Sequence, residues 1–501
     1  MEKFIITIDQ GTTSSRAILF NKKGELVAMS QRELKNYFPK PSWVEQDALE
    51  IWVSVSDVIN ELKIKTNFKP EQIEGIGITN QRETTIVWDK NTGQPVYNAI
   101  VWQSKQTQSI CDSIGEYETI IRKKTGLRIN PYFSASKIRF ILDHIENGQN
   151  RAENGELMFG TVDTWLIYKL TKGKVFATDY SNASRTLLFN INELKWDEEL
   201  CKIFNIPMCM LPEVHDSSYI YGYTTIISHD YVVPIAACAG DQQASLFGQN
   251  CFEKGDIKNT YGTGCFMLMN TKEEPVFSEN GLLTTIAWGI NGKVEYALEG
   301  SVFIGGASIQ WLRDQLQLIN SAAESETIAY SCNNDEEIIV VPAFVGLGTP
   351  YWDDNARGAI FGLTRGTTYK NLVKATLESI AYQSKDVIEV MKKESKNRIN
   401  NLKVDGGATQ NRYLMQFQAD ILGVDLKRPK VLETTALGVF YLAAIATGFY
   451  SDINEIKKVH KYQDKYKSQM DKETRKVKYN KWNKALKATR FRINAQINYK
   501  L

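Results

Sequence analysis

The residues best suited to chemistry lie in Ala239-Gly-Asp-Gln-Gln-Ala-Ser245. One acidic side chain stands among small residues, with two amides beside it. Asp241 has the make-up of a general base, provided an anion site faces it. Ile8-Asp-Gln-Gly-Thr-Thr-Ser-Ser-Arg16 supplies such a site. Gly11 permits a sharp turn with exposed backbone N–H groups. The hydroxyls of Thr12, Thr13 and Ser14 add donors, and Arg16 adds positive charge. Thr260-Tyr-Gly-Thr-Gly264 offers a matching turn in the second half of the chain. A single turn of this kind is usually a hairpin; two in matching positions are far less ordinary. Asp9, ending the first apolar run, is placed to hold Mg²⁺ through water.

Other segments could complete a site. The phosphate loop GxxxxGK[ST] and the DFG and HRD triplets are absent, so a triphosphate would rest on the two Gly-Thr turns. Val404-Asp-Gly-Gly-Ala408, followed by Asn411, ends a strand and begins a helix. Its small residues either let a flat base slide along the backbone, with Asn411 hydrogen-bonding it, or serve a close strand–helix crossing. Asn80-Gln-Arg-Glu-Thr84 places a multi-donor fork, Arg82, beside an acceptor, Glu83. That pair suits a vicinal diol, or is a surface ion pair. Trp102 and Tyr132 are either walls against a carbon skeleton or core. Together these segments read as an ATP-dependent kinase for a small polyol.

The elements that must position these residues follow from periodicity. Residues 3–9 read as a buried strand, 12–16 as a tight polar turn, 17–20 as a second strand and 26–32 as a third. Residues 257–261, 262–264 and 265–269 repeat strand, turn, strand, and 270–275 then turn. This is a weak internal duplication. It predicts two domains, 1–250 and 251–501, with the boundary near 247–255. Helices are expected at 46–63, with Trp52, Val55 and Ile59 on one face, at 136–147 and at 370–393. Strands are expected at 73–79, 85–89, 337–342 and 401–405. Such alternation favours an α/β class with mixed sheets.

Composition bounds the rest. The chain has 501 residues, 43% apolar, with a net charge of +2; nothing in the global field implies nucleic acid or a membrane. The seven cysteines form no CxxC pair and read as buried, reduced thiols of a cytoplasmic protein. Residues 434–450 carry no charge but are short for a membrane span, so a helix inside a large domain is expected. The Lys-rich tail, 457–492, reads as a solvated helix that docks Tyr479, Trp482 and Leu486. A nucleic-acid patch is disfavoured because Asp464, Asp471 and Glu473 interrupt its charge.

These motifs, with the run from Gly346 to Gly366, resemble the FGGY family of carbohydrate kinases, and within it the branch that phosphorylates glycerol. The match runs from residue 4 to about 450. The resemblance implies the actin- and hexokinase-like fold: two ribonuclease-H-like domains around a central cleft. It implies ATP at Thr12, Thr13, Ser14, Arg16, Thr263, Gly306, Gln310, Gly407 and Asn411, with Mg²⁺ near Asp9. It implies glycerol at Arg82, Glu83, Trp102, Tyr132, Asp241, Gln242 and Phe266, with Asp241 as the base. It also implies a homo-oligomer, dimer or tetramer. The rivals are another kinase of the family, such as one for xylulose, and a nucleotide-switched actin-like protein without an acceptor site.

Three departures stand out. Ser104-Lys-Gln106 replaces the family's usual arginines, and Phe140 stands where a signature expects Trp. The Gly-rich, Arg-bearing loop of members inhibited by fructose 1,6-bisphosphate is missing from 225–234, and His229 does not match the context of the histidine phosphorylated in some members.

Overall fold

The computed structural model describes residues 1–332 and 338–496. Among them a thirteen-stranded mixed sheet forms the spine. Its strands are β1 (Phe4–Gln10), β2 (Ser14–Asn21), β3 (Leu26–Glu33), β4 (Ile73–Asn80), β5 (Ser218–Ser228), β6 (Tyr231–Gly240), β7 (Ile257–Tyr261), β8 (Cys265–Lys272), β9 (Leu283–Ile290), β10 (Lys293–Val302), β11 (Asn401–Asp405), β12 (Asp425–Pro429) and β13 (Tyr462–Tyr466). Their spatial order is β13-β12-β11-β7-β8-β10-β9-β5-β6-β4-β1-β2-β3.

The order contains a repeat. In the first half β3, β2 and β1 run antiparallel, then β4 and β6 add in parallel. In the second half β10, β8 and β7 run antiparallel, then β11 and β12 add in parallel. The expected duplication is thus present in topology. The two halves of the sheet meet at one residue pair, Ser218 with Ile290, between β5 and β9.

Eight helices matter to the argument: α1 (Ala48–Thr66), α2 (Ser134–His144), α3 (Asp241–Gly248), α4 (Ala307–Asp314), α5 (Tyr369–Ser395), α6 (Arg412–Leu422), α7 (Thr434–Ala446) and α8 (Lys472–Gln496). The uncharged helix α7 is buried against α3, β4 and β6 rather than in lipid. No helix among the described residues is long and apolar enough to cross a membrane. Helices α3 and α7 cross closely. A Cβ added at Gly248 would lie 2.0 Å from the Thr434 carbonyl oxygen, and one at Gly438 would lie 1.8 Å from that of Ala244. Glycine is required at both positions because backbone meets backbone there. The first residue of α3 is Asp241, so this crossing fixes where its carboxylate stands.

Most expected elements appear with shifted ends. Only residues 11–13 form the first turn; Ser15 and Arg16 already pair with β1, Arg16 opposite Asp9, and Ser14 pairs with Glu33 of β3. Strand β8 runs to Lys272, into the expected turn at 270–275. Helix α1 begins at Ala48, because the Asp47 side chain accepts from the N–H groups of Leu49 and Glu50 and caps it. The strand expected at 85–89 is Ile86–Asp89, paired with Leu157–Gly160 outside the large sheet. That expected at 337–342 is Ile339–Val341, and Glu337 lies outside the described residues. The tail is not one helix: Ile453–Val459 and β13 precede α8. In α8, Trp482 and Leu486 are buried as expected. Tyr479 Oη and Trp482 Nε1 both donate to the buried Asp386 carboxylate, at 2.6 and 2.8 Å. All seven cysteines are free, but Cys209 is exposed rather than buried.

Candidate functional site

Strand β4 delivers the first part of the site. It runs apolar through the sheet and ends at Asn80, after which the chain must turn. Glu83 adopts a left-handed conformation, with φ of 60°. The Ser134 and Thr85 hydroxyls hold its carbonyl oxygen at 3.1 and 3.0 Å. Arg82 and Glu83 are not a surface pair. Their side chains are 2% and 1% exposed.

Such burial is tolerable only with partners, and two residues overlooked in the sequence provide them. Glu299, in the buried part of strand β10, accepts both terminal nitrogens of Arg82 at 2.6 and 3.1 Å. Arg185 donates from Nε to Glu83 at 2.6 Å and from Nη2 to Glu299 at 3.0 Å. The four groups close a buried ring of alternating charge that joins the two halves of the chain. Burial alone would raise the Glu299 carboxyl, but Arg185 and Arg82 hold it at about 2. Burial pushes Glu83 upward, against the pull of both arginines. Each missed residue did carry a signal: a lone charge in an apolar or small-residue run, in Tyr296-Ala-Leu-Glu299 and Ala183-Ser-Arg-Thr-Leu187.

Asp241 stands beside this ring. Its Oδ1 lies 3.3 Å from Arg82 Nε, and its side chain remains 33% exposed. It is therefore oriented but open. The structure also brings Trp102 and Tyr132 together, rings edge to face at 5.6 Å. The Tyr132 hydroxyl accepts from Arg82 at 3.4 Å. The backbone of Tyr132 is pinned by the buried Lys137 of α2, whose ammonium donates to the carbonyl oxygens of Pro131, Tyr132 and Phe133 at 2.6, 2.6 and 3.0 Å. Phe266 lies half-buried on β8, opposite Thr260 and Ser301.

The phosphate-type turns are built differently. At the first, Gly11 N–H donates to the Ser14 carbonyl at 2.9 Å. Thr12 Oγ1 accepts from Trp102 Nε1 at 2.8 Å, linking this turn to the aromatic wall. Thr13 is exposed and Ser14 buried. At the second, Gly262 N–H donates to the Gly264 carbonyl, and the Gly305 and Gly306 N–H groups close onto Thr263 and Gly262. Gly262 and Thr263 are exposed, Gly306 precedes α4, and the Gln310 side chain on α4 is exposed.

Asp9 is the penultimate residue of β1, with its carboxylate 3.8 Å from Arg16, which pairs more closely with Glu433 at 2.7 Å. Burial raises the Asp9 carboxyl to about 7, with Arg16 opposing and Glu433 and Asp241 adding to the rise. A largely buried carboxylate whose nearest cation pairs more closely with Glu433 suits a divalent metal, which would lower that value.

In the third glycine cluster Asp405 faces inward. It accepts from Ser245, Gln249 and Thr434 at 2.9, 2.8 and 2.7 Å, tying α3 to α7. Gly406 has φ of 91°, and a Cβ there would sit 2.5 Å from the Tyr261 carbonyl oxygen; a Cβ at Gly407 would meet only open space. Gly407 thus borders room for a ligand. Asn411 caps α6 through Leu414 N–H at 2.9 Å and donates to Ser325 at 3.1 Å.

Residues 4–248 match the N-terminal domain of the FGGY family of carbohydrate kinases, and residues 257–447 match its C-terminal domain. The chain is 59% identical over 493 residues to a glycerol kinase of Staphylococcus epidermidis, covering 98% of this chain and 99% of that protein. It is also 59% identical over 494 residues to one of Oceanobacillus iheyensis, covering 98% of each. Among solved structures, Plasmodium falciparum glycerol kinase with ADP superposes with a TM-score of 0.91 at 37% identity, over 97% of this chain and 98% of that one. A xylulose kinase from Lactobacillus acidophilus, at 22% identity, a TM-score of 0.86 and 99% of each chain, shares the fold.

Proposed function

The chain belongs to the FGGY family of carbohydrate kinases, and from that premise we propose that it transfers the γ-phosphoryl group of ATP to glycerol, giving sn-glycerol 3-phosphate. The observation that carries this reading is the Asp241 carboxylate, oriented by Arg82 at 3.3 Å yet open to the cleft. Residues 1–250 then hold glycerol and the first phosphate turn, and residues 251–501 most of the nucleotide site.

Arg82 and Glu83 read two adjacent hydroxyls as donor and acceptor, and Trp102, Tyr132 and Phe266 enclose the carbon chain. Asp241 accepts the proton of the terminal hydroxyl. That oxygen forms a bond to the γ-phosphorus as the bond to the β,γ-bridging oxygen breaks, and ADP leaves. The N–H groups and hydroxyls of the two Gly-Thr turns, with Arg16, bear the charge of the transferred group. Thr12, Thr13, Ser14, Thr263, Gly306, Gln310, Gly407 and Asn411 line the nucleotide's path. Mg²⁺ at Asp9 would offset negative charge on the phosphates. Closure of the halves keeps water from competing.

The reaction is cytoplasmic, carried out by a homo-oligomer; light scattering on the purified protein tests the assembly. ATP turnover with glycerol, xylulose, 1,3-propanediol and no acceptor tests the whole reading. Glycerol alone should support rapid turnover. An acceptor-independent ATPase, or a preference for xylulose, would overturn it. Residues 225–234 carry no Arg or Lys to offset a bisphosphate's charge, so millimolar fructose 1,6-bisphosphate should leave activity unchanged. Saturable inhibition at fixed free Mg²⁺ would refute that.

A further inference from the structure

Lys258 is the second residue of β7 and is wholly buried. Its ammonium donates to Gln242 Oε1 at 2.5 Å and to Thr260 Oγ1 at 2.8 Å. Gln242 follows Asp241 on α3, whereas Lys258 belongs to the other half of the chain. An ammonium has three donors and no acceptor. The group it faces on Gln242 must therefore be the carbonyl oxygen, which settles an amide orientation that distances alone leave ambiguous. The amide NH₂ then points away from Lys258, and among the described residues it meets no hydrogen-bond partner. Gln242 is partly exposed beside the open Asp241.

We propose that Lys258 is a positioning residue that holds the Gln242 carbonyl oxygen, so that the Gln242 NH₂ faces the acceptor site as a donor to a substrate hydroxyl oxygen. This rests on the reading of that site as the glycerol site. The consequence is a division of labour between neighbours on one helix turn. Asp241 takes a proton and Gln242 donates a hydrogen bond, so a hydroxyl bound between them is both oriented and prevented from binding reversed. Without Lys258 the amide would be free to rotate and present either end.

The geometry also explains why so costly a residue sits here. Burial pulls the Lys258 ammonium down to about 8, against the attraction of Asp405 and Asp241. An apolar side chain would fill the same space without that penalty, but could not select one face of an amide.

The test is a double-mutant cycle with Lys258→Met and Gln242→Ala, reading KM for glycerol, KM for ATP and Tm. Lys258→Met should raise KM for glycerol roughly tenfold and leave KM for ATP within about twofold. In the Gln242→Ala background it should add less than about twofold. Equal rises in both KM values, or effects that multiply, would make Lys258 merely structural and overturn the proposal. Gln242→Glu keeps the contact to Lys258 but offers an acceptor in place of the donor. It should hold Tm and raise KM for glycerol by at least about tenfold; an unchanged KM would equally overturn the proposal, even if Lys258→Met does not fold. Native enzyme that phosphorylates a different polyol would sink the glycerol reading alone, and the same cycle would then be read with that acceptor.

Discussion

The proposed acceptor side and the proposed nucleotide side of the site are built on opposite principles. On the acceptor side Arg82, Glu83, Arg185 and Glu299 are buried and satisfy one another before any substrate arrives. On the proposed nucleotide side Thr13, Gly262 and Thr263 are exposed, and the N–H groups of Gly11, Gly262, Gly305 and Gly306 are bonded within the loops themselves. The difference follows from the two ligands. Glycerol is small and neutral, so it can be told from its analogues only by donors and acceptors fixed in place, whose misplacement leaves buried groups unpaired. A triphosphate carries enough charge to organise exposed donors around itself. Specificity should therefore be concentrated in a few residues on one side and spread over many on the other.

Substitutions can break this contrast. The largest effect belongs to Asp241→Asn, expected to lower kcat by roughly 10²–10⁴, the usual worth of a general base. The amide still hydrogen-bonds, so KM for glycerol should change far less. A near-native kcat would remove Asp241 from the chemistry.

Next comes Glu299→Gln. Removing one partner leaves Arg82 and Arg185 to share Glu83 in the interior, two cations on one buried carboxylate, and should cost about 3–5 kcal/mol in urea unfolding. KM for glycerol should rise while KM for ATP holds. An equal rise in both would mean that the ring serves the fold, not the acceptor.

Asp9→Asn sharpens the nucleotide side. In the metal-free protein the folded-state value of about 7 stands above the ordinary 3.8, so folding favours the protonated acid. That contribution is complete below about pH 4 and is lost as pH rises through 7. The Asn variant does not lose it. It should melt above the native protein at pH 8, with the gap closing between pH 7 and 4. Added Mg²⁺ should raise the native Tm but not the variant's. Parallel melting curves at every pH would contradict the role given to Asp9.

The smallest effect is expected at the second turn. Thr263→Ala leaves the backbone N–H groups intact, so KM for ATP should rise about fivefold or less, the scale of one hydrogen bond near 1 kcal/mol. A loss as large as that of Asp241→Asn would show that the nucleotide side also relies on single side chains.

How much of this was legible beforehand depends on the range of the interaction. The strands flanking both Gly-Thr turns follow from local apolar runs, and 257–261 and 401–405 match β7 and β11 end for end. The adjacency of Arg82 and Glu83 was visible, but their burial was not, because it depends on Arg185 and Glu299, 102 and 217 positions away. The same holds for Lys258. It reads as a strand lysine until α3 is packed against β7. The extra strand β9, which joins the two halves, was also hidden, since its partners are set by the long-range order of the sheet.

The central claim is that a preassembled ring of charge presents glycerol to Asp241. A crystal structure with glycerol and a non-hydrolysable ATP analogue tests it most directly. The account predicts two adjacent hydroxyls on Arg82 and Glu83, the terminal one within hydrogen-bond distance of Asp241, and the pairs of Glu299 with Arg82 and Arg185 unchanged. A bound glycerol that leaves Asp241 uncontacted, or a ring that opens to admit it, would contradict the account.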